Sequence, residues 1–129
     1  MFSGERLAFR VMATTSFKDL VVWQRGIELT KEVYRCTAIL PREEIYGLSS
    51  QMRRSAASIP SNIAEGHWRG SKKDFIQFLR VADGSAAELE TQLLLACDIF
   101  HLDIKKAGKL LTEVQKMLTV MIKKLNAIR

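Results

Sequence analysis

In the second half of this chain, apolar residues recur at alternating steps of four and three. Phe75, Leu79, Ala82, Ala86, Leu89, Leu93, Ala96 and Phe100 form one series. Ile104, Ala107, Leu111, Val114, Leu118, Met121 and Leu125 form a second, which Leu110 and Met117 widen. An average step of 3.5 holds one helical stripe against a partner, so the spacing predicts helices over about 72–100 and 104–128. Upstream, Leu20, Trp23, Ile27 and Tyr34 make one row and Val22, Leu29, Val33 and Cys36 another, which predicts a helix over about 17–39 with a wide apolar face. Ser16, with Asp19 three residues on, is close to a capping box, and Pro41 disfavours helix at the residue before it. A helix over about 45–67 carries Leu48, Met52, Ala56, Ile59 and Ile63 on one face. Pro60 interrupts it and deprives the Ala56 carbonyl of its amide partner. The second helix is therefore expected to kink at Pro60, or to divide near Ser58 or Ile59. Four amphipathic helices with short connections predict an all-α, antiparallel up-down-up-down four-helix bundle.

Two features exceed what one bundle core needs. Val22, Leu29 and Val33, with Leu94 and Leu95, are surplus apolar positions, expected to bury in a subunit interface. Gly84, Ser85, Ala86 and Ala87 place small residues at the centre of the third helix. A helical glycine costs about 1 kcal/mol against alanine, so another helix is expected to approach closely there.

Composition narrows the classes. At 129 residues the chain is one domain,. Leu, Ile, Ala, Lys, Glu and Met dominate from Phe17 onward, and no apolar run approaches the length of a membrane span. Residues 1–16 are short, mixed and aperiodic, without the apolar centre of a signal peptide. They are expected to form a disordered leader, with Met12 as an alternative start, and 17–129 the bundle. Cys36 and Cys97 lie far apart within predicted helices, which fits reduced thiols in a cytoplasmic protein. The net charge of +6 is uneven: 71–101 carries −2 and 102–129 carries +5.

That asymmetry points to the first candidate site. Lys109, Lys116 and Lys123 stand one heptad apart, flanked by Lys105, Lys106 and Lys124. Lysines in such a row contact phosphates as point charges, with salt-dependent affinity and little sequence readout. In a lone monomer such a row reads better as a solvated face. In a ring it would repeat in every subunit. The basic, glycine-flanked stretch Gly66 to Lys73 adds Arg69, Lys72 and Lys73, which can hold phosphate, and Trp68, which can stack on a base.

The second candidate is a polar stripe on helix two: Gln51, Arg54, Ser58, Asn62 and Glu65. It reads either as a binding groove or as a structural network. In the latter, Arg54 and Glu65 pair with neighbouring helices and Asn62 or Ser58 satisfies the backbone that Pro60 opens.

Enzyme chemistry has little to rest on. His67 and His101 have no cysteine or carboxylate at metal-ligand spacing. Gly66 to Lys73 lacks the spacing of a phosphate-binding loop, and Glu88 and Glu90 face different sides of their helix. No catalytic residue, metal or cofactor is assigned.

Beyond periodicity, specific words recur: Phe17-Lys-Asp-Leu20 with Val22-Trp23-Gln24, Leu40-Pro41 with Glu44, Gly47-Leu48 with Gln51, and Arg53-Arg54. Ser58-Ile59-Pro60, Asn62-Ile63-Ala64-Glu65-Gly66, Arg69, Phe75, Phe78-Leu79, Gly84-Ser85 and Glu88-Leu89-Glu90-Thr91-Gln92 follow. Over about residues 17–125 the chain resembles the proteins encoded in intervening sequences of bacterial 23S ribosomal RNA genes. Asp83 departs from that pattern, where a basic or neutral residue is usual, and this weakens a phosphate contact at that turn. The resemblance implies a four-helix bundle assembled into a ring, a pentamer, and similarity to the accessory proteins of diversity-generating retroelements, which bind nucleic acid and a reverse transcriptase. The expected function is a non-enzymatic, oligomeric, basic protein that binds RNA or other nucleic acid with low sequence specificity and no membrane. The alternative is a ring-shaped scaffold for a protein partner such as a reverse transcriptase, and a weaker one a small-molecule binder using the polar stripe.

Overall fold

The computed structural model describes residues 16–128. Four helices account for most of them: α1 (Val21–Thr37), α2 (Leu48–Arg69), α3 (Lys72–Phe100) and α4 (Lys105–Asn126). Among the described residues there is no strand. The helices pack as α1–α2, α2–α3, α3–α4 and α4–α1, which closes a ring of four around one core. Contacts across the α1–α2 and α1–α4 seams run in opposite directions along the two helices. Gly26 meets Pro60 while Thr37 meets Arg53, and Arg25 meets Glu113 while Glu32 meets Lys106. The bundle is therefore antiparallel, as the heptads predict.

Two helix starts differ from the sequence expectation. Phe17–Asp19 forms a separate 3-10 turn, capped by Ser16 Oγ accepting from the Lys18 amide at 3.2 Å, and Leu20 is extended. The break drops Leu20 into the core and sets Phe17 edge-on to Trp23, 5.4 Å between ring centres. Likewise Arg42–Tyr46 is its own 3-10 turn, and α2 begins only at Leu48. The Glu44 carboxylate accepts the Leu48 amide at 3.1 Å, so a side chain from the turn caps the helix,. The leader predicted for residues 1–16 lies outside the described residues, apart from Ser16.

The predicted seams of α3 and α4 face inward: Phe75, Leu79, Ala82, Ala86, Leu89, Leu93 and Ala96 are buried, as are Ala107, Leu111, Val114, Leu118 and Leu125. On α1 the two rows exchange roles. Val22, Leu29 and Val33, expected to be surplus, are within the bundle's own core, with Cys36 beside them. Tyr34 from the other row is about half exposed. The wide apolar face has two uses: one row is buried in the bundle core, and Trp23 is partly buried against that core and packs on Phe17. Leu94 and Leu95 remain exposed, together with Val81 and Ile99.

The close approaches also fall elsewhere than expected. A Cβ at Gly84 would meet nothing within 4 Å, so no helix of this chain crowds it. A Cβ at Gly66 would lie 2.6 Å from Phe78 Cβ, which places the tight α2–α3 crossing there. Gly26 faces the Pro60 ring across the α1–α2 seam.

α2 stays helical through Pro60 rather than dividing in two. The Ala56 carbonyl that proline strands is taken by Thr30 Oγ1 of α1 at 3.1 Å, not by Ser58 or Asn62. α3 ends on His101 in the left-handed conformation (φ 57°). The His101 amide bonds back to the Cys97 carbonyl at 3.0 Å, the 5→1 bond of an αL cap, and the buried Leu102 side chain closes the turn. His101 thus serves the backbone.

Candidate nucleic-acid interface

α4 forms because its lysines, leucines and methionines are strong helix formers and one face is buried. The Asp103 carboxylate accepts the Lys105 amide at 3.1 Å and steadies its first turn. The other faces divide by charge. Toward α1 the cations are paired: Arg25 Nε donates to Glu113 at 2.9 Å, and Glu32, nearly buried, lies beside Arg35 with Lys106 Nζ at 3.8 Å. The Glu113 hydrogen bond and its charge push the Arg25 guanidinium further above its already high range. On the outward side, Lys105, Lys109, Lys116 and Lys123 are exposed and in no ion pair among the described residues. At 1.5 Å per residue this row is about 27 Å long with about 10 Å between heptad positions. Lys124 is half-buried on the α1 side. On the α3 side, Gln115 of α4 donates to acidic Glu90 at 2.9 Å.

The second basic element meets the end of this row. α2 ends at Arg69, and Gly70 with φ 80° turns the chain into α3, whose first turn Ser71 caps through the Asp74 amide. Lys72 Nζ donates to the backbone carbonyl of Ile128, just past α4. That bond ties the turn to the end where Lys123 and Lys124 stand. Arg69 is held by Glu65 at 2.8 Å and lies over the Phe78 ring at 5.1 Å. Lys73 is exposed, and Trp68 is 81% exposed. His67 turns inward, edge-on to Phe75.

The polar stripe of α2 is not one chain of bonds. Asn62 Nδ2 donates to the Ser58 carbonyl and hydroxyl at 2.7 and 2.9 Å, and Ser58 Oγ meets Ser85 Oγ of α3 at 2.8 Å. Glu65 pairs within its own helix, with Arg69, rather than across a seam. The Gln51 and Arg54 side chains are exposed, without a hydrogen bond or ion pair among the described residues. A helix places Gln51 two turns and Arg54 one turn before Ser58, and neither joins the Ser58–Ser85 contact.

His67 and His101 lie at opposite ends of the bundle, and no three His, Cys, Asp or Glu side chains among the described residues cluster as metal ligands. No described helix is long and apolar enough to cross a membrane.

The model of the 23S rRNA-intervening sequence protein family matches residues 18–123, nearly the whole bundle. The chain belongs to that family. A solved structure from Bacteroides thetaiotaomicron VPI-5482, described as a protein with unknown function from the S23 ribosomal protein family, is similar to it. The two are 27% identical with a TM-score of 0.68, over 79% of this chain and 98% of that one. A comparison with curated proteins finds no match. The match to this intervening-sequence family reaches all four helices and includes the segment around Pro60. The contacts sequence reading missed, those of Thr30, Glu44 and Ser85, are side chain–backbone or hydroxyl bonds that leave no mark on apolar periodicity.

Proposed function

We propose that this is a non-enzymatic protein that assembles into a ring and binds RNA, with low sequence specificity, through the lysine face of α4 and the adjoining Trp68–Lys73 turn. The observation that carries the reading is the joining of two basic elements at one end: Lys72 reaches the carbonyl of Ile128, beside Lys123 and Lys124, at the end of an exposed lysine row. Lysines about 10 Å apart suit a phosphate backbone better than base edges, since only phosphates repeat along a strand regardless of sequence. The descriptions of this family and of its similar structure, an rRNA intervening sequence and a ribosomal protein family, agree with a partner of this chemistry. Exposed Val81, Leu95 and Ile99 on α3 support assembly, because apolar side chains on one outward face are what a subunit contact covers,. A pentamer is the expected ring.

The test is RNA binding against salt. Four phosphate contacts per single strand give a slope near −2.8, so affinity should fall by about 50-fold between about 50 and 200 mM salt. Lys109→Gln, Lys116→Gln and Lys123→Gln together should weaken binding and flatten that slope, with the helical circular dichroism unchanged. Binding indifferent to salt, or none, overturns the reading. The same apolar α3 face favours a second reading, a ring that holds a protein partner such as a reverse transcriptase. Salt-insensitive capture of such a partner, with no RNA bound, would support it.

A further inference from the structure

Trp68 is the one side chain in the basic turn that phosphate contacts do not explain. It is 81% exposed, on the last turn of α2, and among the described residues it is the sole exposed large apolar side chain between Tyr46 and Val81. An indole left in water loses the gain of burying one of the largest apolar surfaces available to a side chain. The core has no need of it, since His67 beside it already packs on Phe75.

Its surroundings are rigid and cationic. Arg69 is fixed from two sides, by Glu65 and by the Phe78 ring. Gly70 and the Ser71 cap fix the path of the chain after it, and Lys72 is tied to Ile128. Arg69, Lys72 and Lys73, with Lys123 and Lys124 from α4, outnumber Glu65 and Asp74. A protein contact would want an apolar cluster around its aromatic anchor, and the neighbouring positions in the turn are basic, small or polar. A lone π-face held among positive charges matches a single aromatic ring that carries negative charge beside it.

We infer that Trp68 is a stacking platform for one unpaired base of a bound RNA, at the end of the lysine row, so that the protein prefers single-stranded segments, loops or strand ends over uninterrupted duplex. This rests on the RNA reading above and deepens it. A base inside a duplex already stacks on both faces, so only an unpaired one gains from the indole.

Fluorescence anisotropy with the full chain decides it, using a labelled short single-stranded RNA and the same RNA annealed to its complement, at about 50 mM salt. Trp68→Ala should weaken single-strand binding by roughly 5- to 150-fold, the range one stacked base carries, and duplex binding by less than about twofold. Trp68→Phe, which keeps a ring, should recover most of the loss. Circular dichroism of both variants should match the parent, since Trp68 is not in the core. An unchanged single-strand affinity, or equal losses on both RNAs, overturns the inference. If Trp68→Ala is silent while the triple lysine variant weakens both RNAs, the platform fails and the basic band stands. If the parent chain binds neither RNA, both fail.

Discussion

Thr30 Oγ1 lies 3.1 Å from the carbonyl oxygen of Ala56, the acceptor that Pro60 leaves without an amide four residues further along α2. The same hydroxyl stands 2.8 Å from the Gly26 carbonyl of its own helix, so its single proton serves two acceptors. Gly26 in turn faces the Pro60 ring at 3.4 Å from an ideal Cβ. One turn of α1 therefore offers both the space and the donor that a proline in α2 demands. An interior proline costs a helix about 3 kcal/mol, and part of that is the orphaned carbonyl.

Thr30→Val keeps the shape and removes the donor. It should cost about 1–2 kcal/mol in urea unfolding, the range for leaving a buried acceptor unpaired. In a Pro60→Ala background the amide returns to Ala56, and the same substitution should cost less than half as much. Equal costs in both backgrounds would show that Thr30 acts by packing and not by donating.

Two glycines give opposite expectations from the same measurement. At Gly66 an added methyl collides with Phe78 Cβ at 2.6 Å and presses on Phe75. Neither is the far end of a flexible chain, so α2 and α3 must separate, and Gly66→Ala should lose about 1–3 kcal/mol. At Gly26 the methyl meets Pro60 at ordinary contact distance, and alanine gains up to about 1 kcal/mol of helix propensity. Gly26→Ala should leave the unfolding midpoint unchanged or raise it. A destabilised Gly26→Ala beside a tolerated Gly66→Ala would reverse the assignment of the tight crossing.

The contrast shows what a sequence of this kind makes legible. The heptads of α3 and α4 name the buried residues because burial repeats with the helix. On α1, two apolar rows compete, and only the placement of α2 and α4 decides that Leu29 is buried while Tyr34 is half exposed. Helix ends resist the same reading, since Leu20 and Gly47 break their helices for tertiary reasons: to seat a side chain in the core, and to let Glu44 turn back onto Leu48. The lysine row is visible as spacing, but its continuity with the Trp68 turn depends on α3 and α4 running antiparallel, which brings residue 72 to residue 128.

Asn62 links Ser58 to the Ser85 contact on α3. Asn62→Ala frees the Ser58 hydroxyl and carbonyl in a half-buried seam and should cost about 1 kcal/mol. RNA affinity should be unchanged, because the seam faces away from the lysine row. A stable variant with weakened RNA binding would instead place a ligand groove on the stripe.

Burial pushes the Cys36 thiol above its ordinary value, against a smaller opposing pull from its own backbone. A raised value in the fold means the native state holds the proton more tightly than the unfolded chain. This contribution is complete below the ordinary thiol range and is lost as pH rises through the raised value. Stability should be level across neutral pH and decline in the alkaline range, and Cys36→Ala should remove that part of the slope. With a thiol reagent near neutral pH, half-exposed Cys97 should react first and Cys36 only as the protein opens,. Equal rates at the two thiols would contradict both the burial and the direction of the shift.

Gly84 lies in the middle of α3, exposed, where alanine would be better by about 1 kcal/mol and no helix of this chain occupies the space,. On the helical wheel it shares an outward face with Val81 and Leu95. The proposed ring accounts for both facts at once, since a neighbouring copy seated there would cover the apolar side chains and need the missing Cβ. Gly84→Gln should then shift the protein toward monomer in light scattering, with helix content by circular dichroism retained. Gly84→Ala should weaken assembly less. If both variants stay assembled and unfold later than the parent, the face is solvated and subunits meet elsewhere.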